Sequence, residues 1–294
     1  IRALLFDLDD TLLDHTGAAR DAVDQWCREL GLPEGQHARF AAIERKWFYA
    51  YERGEVTHQG QRAARCREFL GREMSDAEAL AAYDGYLSAY RQQWRAFADA
   101  LPTLTWALDS SFQVGVLTNG EREMQQAKLQ ATGLALADVH LIPTVDLGCP
   151  KPQRDAYLAA CDQLGTVPAD TLMVGDSLTN DVQGARKAGL YALHLDRAGD
   201  GDLSSLSALK EVLPQKPADY DGARIDNAFT AISQVRSASL LRGEVLGIKG
   251  ASMGGVEKGL QSLRVRFLRT QFACLFCGRD EGIEHGAIAA LRAT

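Results

Sequence analysis

The 294-residue chain has no run approaching the ~20 apolar residues needed to span a bilayer, and its N-terminus lacks a basic stretch leading into an apolar segment. A membrane role is therefore not expected, and a cytoplasmic location is the default expectation. Basic residues are also short: 32 Lys+Arg against 39 Asp+Glu give a net charge of -7. Nucleic acid is not an expected partner, because a broad phosphate-binding surface requires clustered positive charge. The six cysteines include four scattered singly (Cys27, Cys66, Cys149, Cys161), as in a reduced, cytosolic protein. No His-rich or multi-Cys cluster lies in the first two thirds to favour zinc.

What is present is enough apolar material, 46% of residues, for one large domain or two modest ones. Charge divides the chain near Pro214: residues 1–213 carry -10 and residues 214–294 carry +3. In the first part, short Val/Leu/Ile runs alternate with helical patterns, the signature of a parallel sheet built from βαβ units. Strands are predicted at Ala3–Phe6, Gln113–Leu117, His140–Pro143, Thr171–Val174 and Tyr191–Leu195, with crossover helices at 121–131, 153–164 and 179–188.

Between residues 14 and 100 the alternation stops and four helical segments follow one another. Val23, Trp26, Cys27 and Leu30 form one apolar stripe; Phe40, Ile43, Trp47 and Tyr51 a second; Leu80, Tyr83, Leu87, Tyr90 and Trp94 a third. Thr57 is the expected N-cap of the third helix. Aromatics at this spacing are assigned to packing rather than ligand stacking.

Chemistry concentrates where predicted strands end, the place at which open α/β sheets bind ligands. Asp7-Leu8-Asp9-Asp10-Thr11 follows strand 1, Leu117-Thr118-Asn119-Gly120 strand 2, and Gly175-Asp176-Ser177-Leu178-Thr179-Asn180-Asp181 strand 4; Lys151 sits between Pro150 and Pro152. In an extended chain Asp7 and Asp9 share a crevice while Asp10 points elsewhere. Carboxylates this crowded raise one another's pKa, and a hard divalent cation removes the repulsion. Magnesium is the expected ion, with Asp7 and Asp176 as its best carboxylate ligands. If Asp176 binds metal, Ser177 or Thr179 must cap the following helix.

These four motifs, in this order and at strand ends, resemble those of the haloacid dehalogenase-like hydrolases over residues 1 to about 213. The resemblance implies a doubly wound, Rossmann-like α/β core (residues 1–13 and 98–213), an inserted C1-type helical cap (14–97) and a C-terminal extension (214–294). The stretch from Trp47 to Gly71 is similar to caps of the nucleotidase and acylneuraminate-phosphatase branch. The resemblance further implies that Asp7 is the nucleophile and Asp9 the general acid and base, and that Lys151 offsets phosphoryl charge. It has Thr118 and the backbone around Asn119 hold phosphate oxygens, and Asp7, the Asp9 carbonyl and Asp176 hold magnesium. Asp181 is implied to orient Lys151 or a metal-bound water. The expected activity is magnesium-dependent hydrolysis of a small phosphorylated metabolite.

Competing readings are set against this one. Carbon–halogen hydrolysis needs no acid for the leaving group, and members with that activity lack the second aspartate, so Asp9 and Asp10 count against it. A phosphonatase would need a cap lysine for a Schiff base, and Lys46 is the sole lysine in the insertion. A non-catalytic binding protein would act through the basic tail, where Arg264, Arg266 and Arg269 read as a solvated face. In that tail Cys274, Cys277 and His285 make a weak metal or redox pattern. Tyr49, Arg53 and Arg91 are candidate substrate contacts from the cap.

Overall fold

A computed structural model describes residues 1–213. The charge-shifted tail, with Cys274, Cys277, His285 and the three arginines, lies outside the described residues. Residues Arg2–Leu206 make one compact unit. Beyond it, Leu209–Val212 forms a single helical turn. No helix among the described residues is long and apolar enough to cross a membrane.

Five strands, β1 (Ala3–Phe6), β2 (Gln113–Thr118), β3 (Val139–Pro143), β4 (Thr171–Gly175) and β5 (Tyr191–His194), form one sheet in the order β3-β2-β1-β4-β5. Every neighbouring pair is parallel. The predicted strands match to within one residue at either end. All four residues of β1 are buried, so it reads as a continuous apolar run rather than an alternating one. Ala3 and Leu5 pack with Leu117, Ile142, Tyr157 and Met173 in a single cluster on one face. Because β1 is central, its C-terminal end opens at the middle of the sheet, beside the ends of β2 and β4.

Four helices follow β1: α1 (His15–Glu29), α2 (His37–Glu52), α3 (His58–Leu70) and α4 (Asp76–Gln92). They have their own core, in which Trp26 stacks on Phe69 (5.3 Å between centroids) and Phe40 lies 4.5 Å from Tyr86. Thr57 caps α3 by accepting the Gly60 N–H, and Ser75 with Glu78 forms a capping box on α4. The chain leaves the sheet layer at Leu13 and returns at Ala96, and these crossings pair with each other through an isolated antiparallel bridge. Arg95 reinforces them by binding Asp14, 2.7 Å, and Asp21, 2.8 Å.

Three expectations are corrected. Leu30 is 41% exposed rather than part of the first stripe, because α1 ends at Glu29 and its last turn passes the core. A further helix, α5 (Ala100–Asp109), precedes β2; its apolar residues, with Pro102 tolerated in the first turn, lack the polar alternation that signals a helix. After β2 come α6 (Arg122–Ala131), a short α7 (Thr144–Leu147) and α8 (Arg154–Gln163). The helix expected over 179–188 is instead a wide π-type turn, Leu178–Gln183, that runs into α9 (Gly184–Ala188). In that turn both Asp181 and Val182 donate backbone N–H to the Ser177 carbonyl, which leaves the Asp181 side chain turned back toward β4.

Candidate active site

The loop after β1 turns at Asp10, which adopts φ 61°, a left-handed conformation that aspartate tolerates. Its carboxylate accepts from the Thr16 N–H (2.8 Å) and hydroxyl (2.7 Å) and so closes the first turn of α1. Asp7 and Asp9 are left to line a cavity of about 470 Å³, together with Thr118, Asn119, Lys151, Asp176 and Asp181. The seven residues nominated for the nucleophile, acid, phosphate and metal roles therefore meet in one place.

Lys151 organises the floor. Its Nζ donates to Asp7 Oδ1 and Asp181 Oδ1, 2.6 Å each, and the side chain is 3% exposed. Burial alone would lower its pKa, but Asp181 and Asp7 outweigh it and the ammonium stays charged. Asn119 fixes the lysine's backbone: its amide oxygen accepts the Lys151 N–H (2.8 Å) and its amide nitrogen donates to the Lys151 carbonyl (3.0 Å). The Asn119 side chain is thus engaged in positioning, which leaves its backbone as the part able to meet a substrate.

Asp181 is 1% exposed and has both oxygens engaged, one by Lys151 and one by the Ser177 N–H at 3.0 Å. A Cβ at Gly175 would collide with this carboxylate, so glycine ends β4 for lack of space. Ser177 caps the following turn through the Asn180 N–H, 3.1 Å, and Asp176 makes no capping bond. Asp176 sits at the open side of the cavity, steadied by Thr11, whose hydroxyl takes its N–H (3.1 Å), and by His194 Nε2–H on its carbonyl (2.8 Å). Carboxylate oxygens of Asp7, Asp176 and Asp181 lie within 4.8 Å of one another. Burial, followed by Asp181 and Asp10, pushes Asp176 up to about 6. Burial, with Asp181 and Asp176 beside it, raises Asp7 well above the usual range despite Lys151. One ammonium against three carboxylates leaves negative charge unmatched.

Asp9 is different. Lys128 Nζ binds both of its oxygens, 2.7 and 2.9 Å, and Gln125 donates to Oδ2 at 3.0 Å while also donating to Thr118 Oγ1 at 2.8 Å. Burial opposes ionisation, but Lys128 and His15 prevail and hold Asp9 well below the usual carboxylate range. Gln125 and Lys128 were missed in the sequence. They are buried polar residues one turn apart on α6, occupying positions beside Met124 and Leu129 where an apolar stripe would continue.

The helical wall also differs from expectation. Tyr49 is 52% exposed, Arg53 pairs with Glu55, and neither these nor Arg91 lines the cavity. Lys46 binds Glu68 (2.7 Å) and is likewise not a lining residue, which removes the Schiff-base candidate. The wall is formed instead by side chains such as Arg45, His58, Arg62 and Arg65, with Tyr83 and Tyr90 serving both the helical core and the cavity.

Residues 1–189 match the sequence profile of the haloacid dehalogenase-like hydrolases. The chain is 27% identical to the glyceraldehyde 3-phosphate phosphatase of Methanopyrus kandleri over 210 residues, 69% of this chain and 87% of that protein. It is 29% identical to the (S)-2-haloacid dehalogenase 4A of Burkholderia cepacia over 215 residues, 71% and 89% of the two chains. The crystal structure of the HAD-hydrolase YfnB from Bacillus subtilis, bound to magnesium, superposes with a TM-score of 0.55 at 27% identity, covering 66% of this chain and 88% of that one. The profile match, the parallel sheet and the carboxylate-lined cavity at its strand ends make this chain a member of the haloacid dehalogenase-like hydrolases.

Proposed function

We propose that this hydrolase cleaves small phosphomonoesters through a phosphoaspartate on Asp7, with magnesium as its resident cation. The carrying observation is the buried ammonium of Lys151 shared by Asp7 and Asp181, with Asp176 adjacent and negative charge left over. The donor set is made of oxygens alone, which fits a hard divalent ion. Asp7, Asp176 and the Asp9 backbone carbonyl would hold it; Asp181, with both oxygens occupied, supports Lys151 from behind. Once bound, magnesium offsets the charge of the carboxylates and of the phosphoryl oxygens.

The chain's own residues supply the rest. A free oxygen of Asp7 attacks phosphorus, the ester P–O bond breaks, and Asp9 gives its proton to the departing oxygen. Asp9 then takes a proton from the hydrolytic water, whose oxygen displaces Asp7 and frees phosphate. Lys128 keeps Asp9 ionised, the form the second step needs; for the first step the phosphoryl group competes for Lys128, and Asp9 can then carry a proton. Thr118 and the backbone at Asn119 cradle phosphoryl oxygens while Lys151 neutralises them. A retained acid at position 9 favours an alkoxide leaving group over halide. Small phosphorylated metabolites as substrates, and a cytoplasmic setting, accompany this reading.

The test compares hydrolysis of an aryl phosphate by the wild type and Asp7→Asn, with and without magnesium. Activity is expected only for the wild type with metal. Equal turnover by both proteins, or metal-independent halide release from a 2-haloacid, would defeat the proposal.

A further inference from the structure

The helical wall of the cavity carries an excess of guanidinium. Arg45 on α2 and Arg62 and Arg65 on α3 face it, against the carboxylates of Glu44 and Glu121. Arg65 is 5% exposed, and of its five N–H donors only those on Nη1 are used, toward Glu44 (2.8 Å) and the Tyr83 hydroxyl (3.2 Å). Its Nε is sealed without a partner, and among the described residues nothing accepts from its Nη2. Arg45 is exposed and makes no ion pair or hydrogen bond with a described residue. Arg62 reaches Glu121 only at 3.6 Å.

His58 reports the local potential. Its Nδ1 lies 2.9 Å from Glu121, yet burial and the charges of Arg62 and Arg65 hold its pKa down, to about 4, so the neutral ring adds no charge to the wall. Two carboxylates therefore face three guanidiniums. The floor is opposite in sign, with Asp7, Asp9, Asp176 and Asp181 against Lys128 and Lys151. A substrate whose charge sat wholly at the floor would leave Arg45, and the Nε and Nη2 donors of Arg65, without a partner at the wall. The aromatic alternative is poor for α4, since Tyr83, Tyr86 and Tyr90 are at most 6% exposed and present no ring face for stacking.

We infer that the substrate is a small organic phosphate with a second anionic group, a carboxylate or a second phosphate, received at the helical wall by Arg65, Arg45 and Arg62. This rests on the phosphomonoesterase reading and adds a substrate class to it. Arginine suits the role because its planar fork meets carboxylate or phosphate oxygens with two parallel donors. A cavity of about 470 Å³ has room for a small metabolite bridging floor and wall.

The test uses matched three-carbon probes: glycerol 3-phosphate, 3-phosphoglycerate and glycerol 1,3-bisphosphate, each with magnesium. One charge-assisted contact predicts kcat/KM roughly tenfold or more higher for a doubly anionic probe than for glycerol 3-phosphate; the better of the two identifies the second anion. The ratio should fall several-fold in Arg45→Gln, an exposed position whose change leaves the core intact, and further in Arg65→Gln combined with Glu44→Gln, which keeps that pair neutral. A ratio near one in the wild type, a ratio unmoved by both variants, or faster turnover of a nucleoside monophosphate than of either doubly anionic probe would overturn the inference. If no phosphate ester is hydrolysed, the phosphomonoesterase reading fails by itself. Calorimetric titration of Asp7→Asn with the same probes then decides the second-anion claim: equal affinities refute it, and tighter binding of a doubly anionic probe upholds it.

Discussion

Replacing Lys151 by methionine removes the ammonium between Asp7 and Asp181 while keeping most of the apolar stem. Lys151 is 3% exposed and bound at 2.6 Å on both sides, so the change strands two carboxylates, one 12% and one 1% exposed. Removing one partner of such a buried array typically costs about 3–5 kcal/mol. The loss should depend on pH. Without the ammonium, the folded-state pKa of Asp7, already raised by burial, rises further above its unfolded value near 3.9. For a raised carboxylate, stability is retained at low pH and lost as pH climbs through the folded pKa. Each pH unit over which the folded variant binds one proton more than the folded wild type changes the deficit by about 1.4 kcal/mol. Between pH 8 and pH 5 up to about 4 kcal/mol of the deficit should thus be recovered, most of what was lost. Urea unfolding of wild type and Lys151→Met in a chelating buffer at both pH values measures this as a difference of differences, which removes titrations common to both proteins. Adding magnesium at pH 8 should recover part of the same deficit. A destabilisation equal at pH 8 and pH 5 would show that Lys151 matters through packing, and would refute the charge argument.

Two further outcomes follow from the crowded carboxylates. Because Asp176 is raised to about 6 and Asp7 is also raised, protons compete with the cation; the thermal shift produced by magnesium should be larger at pH 7.5 than at pH 5.5, and an equal shift would place the ion elsewhere. Gly175→Ala should push the Asp181 carboxylate off Lys151, with a stability loss of about 1–3 kcal/mol and at least a tenfold fall in aryl phosphate turnover; denaturant midpoint and kcat both at wild-type values would contradict the close packing.

The comparison with a haloacid dehalogenase on one side and a phosphatase on the other shows how little the shared fold decides. On the proposed reading the discriminating feature is local. A second carboxylate at Asp9, held by Lys128 and Gln125 from α6, provides a group that halide displacement does not require.

Much of the molecule was determined by sequence alone. The five strands could be read because a parallel sheet buried on both faces requires unbroken apolar runs, and four of those runs end in or lead to residues that apolar packing does not explain. The nucleophile candidate, the lysine and the acidic partners of β4 were legible for the same reason, as was the need for Ser177 or Thr179 to cap in place of Asp176, a choice the structure makes for Ser177. Tertiary structure decided the remainder. Lys128 and Gln125 look like ordinary helix-surface residues until α6 packs beside the β1 loop and turns them to Asp9. Arg65, Arg62 and Arg45 face inward, while Tyr49 and Arg53 face away, because helix periodicity defines a face but not what lies opposite it. The sequence thus specified the polar groups gathered at the strand ends; only the packing of α2, α3 and α6 around them decided which further side chains meet them in the cavity.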